Sequence, residues 1–210
     1  SDKEKGARGG ISAFLVERGT PGFNVQRRNP MLGGEFTYEL TLEDSRVPAS
    51  KLLGVEGQGF APMQLRLSTR RTQMAAWSIG IAQRALDMMI AYAPQRVTFG
   101  APLSDRQVVQ WWIADAATRI HALRLMVYDC AWKLDQGRDV RSEISMIKYY
   151  GTELAWEVVD QAMQLHGAMG MTKELPLQFM AAHVRNMRIY DGPTEIHRWV
   201  VARNLLGGRK

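Results

Sequence analysis

The chain has 210 residues, 46% hydrophobic and 23% charged, an ordinary balance for a soluble globular protein of one large domain or a domain with a smaller part. No run approaches the ~20 consecutive apolar residues that span a bilayer, and the single Cys130 excludes an intramolecular disulfide and fits a reducing compartment. The net charge of +6 and pI near 9.7 suit an anionic ligand, but lysines and arginines are scattered without clustering or aromatic interleaving, which argues against a nucleic-acid surface.

Residues 1–10 are polar and glycine-rich, unlike a signal or transit peptide. Ile11, Ala13 and Leu15 then alternate with Ser12 and Phe14 up to the turn Gly19-Thr20-Pro21-Gly22. Phe36, Tyr38, Leu40 and Leu42 alternate with polar residues at a period of two, and Asp44 to Pro48 closes that strand. Roughly three or four short strands fit here, too few to bury two faces, so this region is expected to belong to a larger sheet.

After Gly57-Gln58-Gly59 the pattern turns helical. The spacing predicts a long helix over 60–93 with Trp77, Ile81, Ala85 and Met89 on one face, ended by Pro94. Val97 to Leu103 reads as a connection, and Ser104 is the expected N-cap of the next helix. That helix carries Ile113, Ala116, Ile120, Leu123, Val127, Cys130 and Leu134 in a seam and stops at Gly137. A third carries Ile144, Ile147, Gly151, Leu154, Val158, Gln161 and Leu165, and ends near His166-Gly167. Residues 177–189 and 194–206 read as two more helices split by Asp191-Gly192-Pro193. The fold class is therefore mainly α, an up-down helical bundle preceded by a partial β-domain. Trp111, Trp112, Met126, Trp156 and Met163 are expected in its core or a subunit interface.

There is no glycine-rich dinucleotide fingerprint, no Walker loop, no nucleophile elbow, and no His-x-x-x-His or Glu-x-x-His pairing for a metal. Three local features can carry chemistry. Arg96-Val97-Thr98-Phe99-Gly100 could hold phosphate with a guanidinium and backbone amides, or simply connect two helices. Gln164 to Gly170 could let backbone approach a ligand, or be a glycine C-cap. Tyr190-Asp191-Gly192-Pro193-Thr194-Glu195 sets a carboxylate on a break between helices, or is merely a turn.

In this order, with Gly57-Gln58-Gly59-Phe60, Arg84-Ala85-Leu86 and Gln107, the set resembles the acyl-CoA dehydrogenase family over essentially the whole chain. The resemblance implies that residues 1–56 are the second half of a middle β-domain and 57–210 the C-terminal helical bundle. It also implies that an N-terminal helical domain and the other half of the β-domain lie outside this sequence, so this stretch alone is expected to bind FAD weakly and turn over little. In the family a carboxylate removes the pro-R α-proton of an acyl-CoA thioester while the β-hydride moves to flavin N5. The thioester oxygen is held by a ribityl hydroxyl and the base's own backbone N–H.

By the same resemblance Asp191 stands in the base position, as in a subgroup with Asp for the usual Glu. The alternative base position, on the first long helix, falls on Arg70, which accepts no proton. Arg96, Thr98, Phe99, Gln107, Gln164, Gly167, Ala168, Thr194 and Glu195 are implied in FAD binding, several across a dimer interface. Arg71, Tyr190 and Gly192 are implied near the substrate, and no metal is expected. Implied partners are acyl-CoA, electron-transfer flavoprotein as acceptor, and further copies of the chain as a dimer or tetramer. The implied setting is bacterial cytoplasm, or the mitochondrial matrix or peroxisome of a eukaryote. A non-catalytic helical oligomerisation module of the same fold is the alternative reading.

Overall fold

The computed structural model describes residues 2–7 and 9–207. They form two compact units that divide between Leu67 and Ser68.

The first unit holds β1 (Ala13–Phe14), β2 (Phe23–Pro30), β3 (Phe36–Leu42) and β4 (Leu52–Leu53). They make two separate antiparallel pairs, β1 with β4 and β2 with β3. The period-two run at 36–42 is β3, as its alternation predicts. Its partner β2 is mostly polar, Asn24-Val25-Gln26-Arg27-Arg28-Asn29, so it lacks an apolar alternation by which to find it. Phe36, Tyr38, Leu40 and Leu42 are all exposed. A two-stranded ribbon of this kind has no second layer of its own to cover them.

The helices are α1 (Phe60–Tyr92), α2 (Gln107–Asp135), α3 (Arg141–His166), α4 (Leu177–Met187) and α5 (Thr194–Leu205). Their ends fix an up-down-up arrangement. Tyr92 at the end of α1 stacks on His166 at the end of α3. Lys133 near the end of α2 bonds Glu143 at the start of α3. Midway, a Cβ on Gly151 would lie 3.2 Å from Leu123 and 3.4 Å from Ser78, so α1, α2 and α3 meet there at near contact.

The core is lined by Met74, Ala82, Ala85 and Met89 of α1, Ala116, Ile120, Leu123 and Cys130 of α2, and Ile147, Leu154, Val158 and Leu165 of α3. On α1 the expected Ala85 and Met89 are buried and Ile81 packs against the core, but Trp77 is exposed, and its ring carries the guanidinium of Arg70 at 4.2 Å. Smaller Met74, Ala75 and Ser78 face inward instead, which lets the helices approach closely. Ser104 does not cap α2; it lies in a 3-10 turn, and Arg106 is the residue before the helix. Trp112, Met126, Trp156 and Met163 pack against the core, whereas Trp111 is exposed. Cys130 is buried, and burial pushes its thiol up to about 11, so it is no nucleophile near neutral pH. No helix among the described residues is long and apolar enough to cross a membrane.

Candidate active site

Between α4 and α5 the chain leaves helical geometry for two residues. Asp191 has φ 55 and Gly192 φ 102, and Pro193 then sits extended at the start of α5. Proline disfavours helix for the residue before it and supplies no N–H, so the break is written into Gly192-Pro193. A left-handed aspartate is uncommon, since only its short polar side chain eases the steric cost. Gly192 is required by crowding: a Cβ there would lie 2.9 Å from His197 Nε2 and 3.4 Å from Arg71 Nη2.

Three buried or half-buried side chains hold this break by its carbonyls. Arg71 Nε donates to the Asp191 carbonyl at 2.7 Å. Lys148 Nζ donates to the Gly192 carbonyl at 2.6 Å. His197 Nε2 lies 3.4 Å from the Asp191 carbonyl, and its Nδ1 is 3.2 Å from Ser145 Oγ. A carbonyl only accepts, so Nε2 carries the proton and Nδ1 accepts from the Ser145 hydroxyl.

Burial and two neighbouring cations, Lys148 and Arg71, push the His197 imidazole down to about 4, and it is neutral near pH 7. Lys148 is wholly buried. Burial first, then the charge of Arg71, brings its ammonium down to about 8, with Asp191 and Glu195 opposing. Burial likewise lowers Arg71, against the pull of Asp191.

The Asp191 carboxylate is 13% exposed and pairs with Arg70, Nε to Oδ2 3.7 Å. The position that cannot be a base therefore supplies the counter-charge to Asp191. Tyr190 is half-buried beside it and Glu195 is exposed. Thr194 is buried, and its Oγ1 has no hydrogen-bond partner.

The other two features gather at the far end of the bundle. The stretch expected as a plain connection is a β-hairpin, β5 (Val97–Thr98) with β6 (Ala101–Pro102). Its two-residue tip has φ 49 at Phe99 and φ 78 at Gly100, the sign pattern of a type I′ turn. Arg106 Nη2 anchors it through the Thr98 carbonyl at 2.6 Å. The Phe99 ring is fully exposed, as are Arg96 and Gln107. Tyr92 on His166, with ring centroids 4.3 Å apart, joins this hairpin's helix to the Gln164–Gly170 turn.

Gln164, Gly167 and Ala168 are exposed there. Gly170 is needed for packing, because a Cβ would meet the Met163 carbonyl at 2.4 Å. A guanidinium, two carboxamides and open backbone suit a diphosphate, and the exposed Phe99 ring is a face a large planar ligand can cover.

The expected residues thus fall into two groups. Asp191, Gly192, Tyr190, Arg71, Thr194 and Glu195 stand at one end, and Arg96, Thr98, Phe99, Gln107, Gln164, Gly167 and Ala168 at the other. Arg71 and Tyr92 are separated by 21 helical positions along α1, about 30 Å at ~1.5 Å per residue. One copy of the chain does not bring the two groups together. Sequence reasoning passed over Lys148 and Ser145, although Lys148 follows Ile144 by four positions and precedes Gly151 by three, on the buried face of α3.

The family model for the acyl-CoA dehydrogenase C-terminal domain matches residues 57–206. (R)-benzylsuccinyl-CoA dehydrogenase of Thauera aromatica is 40% identical over 207 residues, 98% of this chain and 51% of that protein. Among solved structures, butyryl-CoA dehydrogenase from Megasphaera elsdenii superposes with TM-score 0.89 at 35% identity, over 98% of this chain and 54% of that one. A FAD complex of PigA does so with TM-score 0.89 at 33% identity, over 96% and 53%. The chain spans about half the length of the relatives it matches.

Proposed function

This chain belongs to the acyl-CoA dehydrogenase family, and on that premise we propose that the protein carrying it oxidises a fatty acyl-CoA to the trans-2-enoyl-CoA with Asp191 as base. The observation that carries the reading is the Asp191 carboxylate, 13% exposed on a left-handed break, with its main chain held by Arg71.

Asp191 takes the α-proton onto a carboxylate oxygen. Arg70 orients that carboxylate before substrate arrives, and its guanidinium is itself fixed on Trp77. As the α C–H bond breaks, charge moves to the thioester oxygen, where the backbone N–H of Asp191 is the donor this chain contributes. Arg71 and His197 hold the neighbouring carbonyl inward, so they set the direction of that N–H indirectly. FAD, the cofactor, supplies N5 as acceptor of the β-hydride when bound.

Arg96, Gln107 and Gln164 would hold its diphosphate and ring edges, with backbone at Gly167 and Ala168 and the Phe99 ring against it. Thr194 and Glu195 would meet it from the Asp191 end. Because those two sets lie at opposite ends of one chain, a complete site takes them from two copies, and the working protein is a dimer or a multiple of it. Electron-transfer flavoprotein is the proposed acceptor of the electrons.

Asp191→Asn in the full FAD-loaded protein tests the base. It keeps the flavin absorbance and binds acyl-CoA, but flavin bleaching by substrate slows by about 10²–10⁴-fold, the usual worth of a positioned general base. Bleaching at the parent rate would remove Asp191 from the chemistry.

A further inference from the structure

Lys148 is the largest side chain fully buried in this chain, and no step of the proton transfer uses it. Its stem runs from the buried face of α3, and its ammonium ends 2.6 Å from the Gly192 carbonyl. Every element packed around it presents charge or a titratable group: Arg71 from α1, Arg188 after α4, Asp191 from the break, and Glu195 and His197 from α5. A lysine is costly to bury, and a hydrophobic residue of similar length would fill the same space more cheaply. What the hydrophobic residue would lack is a donor for Gly192.

We propose that Lys148 is a positioning residue for proton abstraction: its ammonium anchors the Gly192 carbonyl and thereby fixes the left-handed Asp191 from which both the carboxylate and the amide N–H project. The argument is geometric. Arg71 and His197 fix the peptide plane between Asp191 and Gly192 through its carbonyl. Lys148 fixes the next plane, between Gly192 and Pro193. Gly192 is the most permissive residue in the break, and with its second plane unanchored Asp191 can relax from φ 55 toward commoner geometry. A base and an N–H displaced together by about 1 Å lose on the order of 10²-fold in rate. The inference rests on Asp191 being the base.

Burial and the charge of Arg71 bring the ammonium down to about 8, and the neutral amine present above that value still donates an N–H to the Gly192 carbonyl. The lysine is harder to protonate in the folded chain than when free at 10.5, so its contribution to stability grows as pH rises from about 8 to 10.5.

The test uses Lys148→Met and Lys148→Gln in the complete FAD-loaded protein, with Asp191→Asn beside them. Lys148→Met keeps its flavin absorbance and a Tm equal to or above the parent's. Its KM for acyl-CoA stays within about threefold while kcat falls by about 10²-fold. Lys148→Gln, which still donates, recovers most of that loss. A Lys148→Met protein with parental kcat, or a Lys148→Gln protein no more active than Lys148→Met, overturns the proposal. If Asp191→Asn is inactive while Lys148→Met is fully active, this proposal alone fails; if Asp191→Asn turns over normally, the base assignment fails and takes the proposal with it.

Discussion

His197 stands between two cations, Lys148 and Arg71, in a site that excludes water. Its imidazole is held down to about 4 against 6.5 when free, so the unfolded chain takes up a proton in that interval before the folded chain does. The stability this histidine contributes is therefore fully present above pH 6.5 and is lost as pH falls through about 4. At ~1.4 kcal/mol per pH unit the loss is at most about 3.5 kcal/mol. His197→Gln keeps one donor for the Asp191 carbonyl and one acceptor for Ser145 but cannot titrate. It is expected to match the parent's Tm at pH 7 and to flatten the fall between pH 6.5 and 4; a parental slope in this variant would assign the acid loss to other groups. His197 stood in a recognisable motif, but its state depends on Lys148, which lies 49 positions earlier. A buried charge so far away in sequence has no local signature beyond its place on an apolar helical face. Arg70 is a similar case: its residue type excluded it as a base, but only the fold shows it 3.7 Å from Asp191.

At the scale of elements, the helices were legible because their seams repeat at three and four positions and end at Pro94, Gly137 and Gly192-Pro193. On α1 the expected face holds at Ile81, Ala85 and Met89 and fails at Trp77, which is exposed while Ser78 beside it is buried. The hairpin at 97–102 was not legible, because two-residue strands carry no measurable alternation. Its tip also breaks a local rule. Type I′ turns favour Asn-Gly, where both central residues tolerate positive φ, yet here Phe99 occupies the first place with its ring wholly in solvent. Such a residue costs roughly 1 kcal/mol or more in backbone strain, and its ring packs on nothing among the described residues to offset it. A flat ligand against the ring is a sufficient reason for its presence. Phe99→Asn is expected to raise Tm by a few degrees in the absence of flavin and to weaken FAD binding by about tenfold, the loss of one aromatic face. Calorimetry on the flavin-free protein and a FAD titration followed by flavin fluorescence read the two effects separately. A variant that binds FAD like the parent would make the hairpin tip a bystander.

For the molecule as a whole, the about 30 Å of α1 between Arg71 and Tyr92 is the dimension that separates the two sets of expected residues. The order of motifs along the sequence marked both sets, but not that a rigid helix holds them apart. α3 imposes the same separation, with Lys148 near its start and His166 at its end. A flexible connection could fold the two sets together, whereas two parallel helices joined through Tyr92 and His166 cannot. The proposed two-fold dimer sets the Asp191 end of each copy beside the Arg96 end of the other.

The arrangement predicts complementation between defective copies. Asp191→Asn removes the proposed base, and Arg96→Ala with Gln164→Ala removes proposed flavin contacts, so each protein alone is expected to be nearly inactive. In a hybrid of one copy of each, one site receives both defects and the other receives neither. Random pairing makes about half the dimers hybrid, each with one intact site of two, so co-expression restores about a quarter of parental activity. Were both sets to serve a site within a single copy, every site in the hybrid would carry one defect and no activity would return.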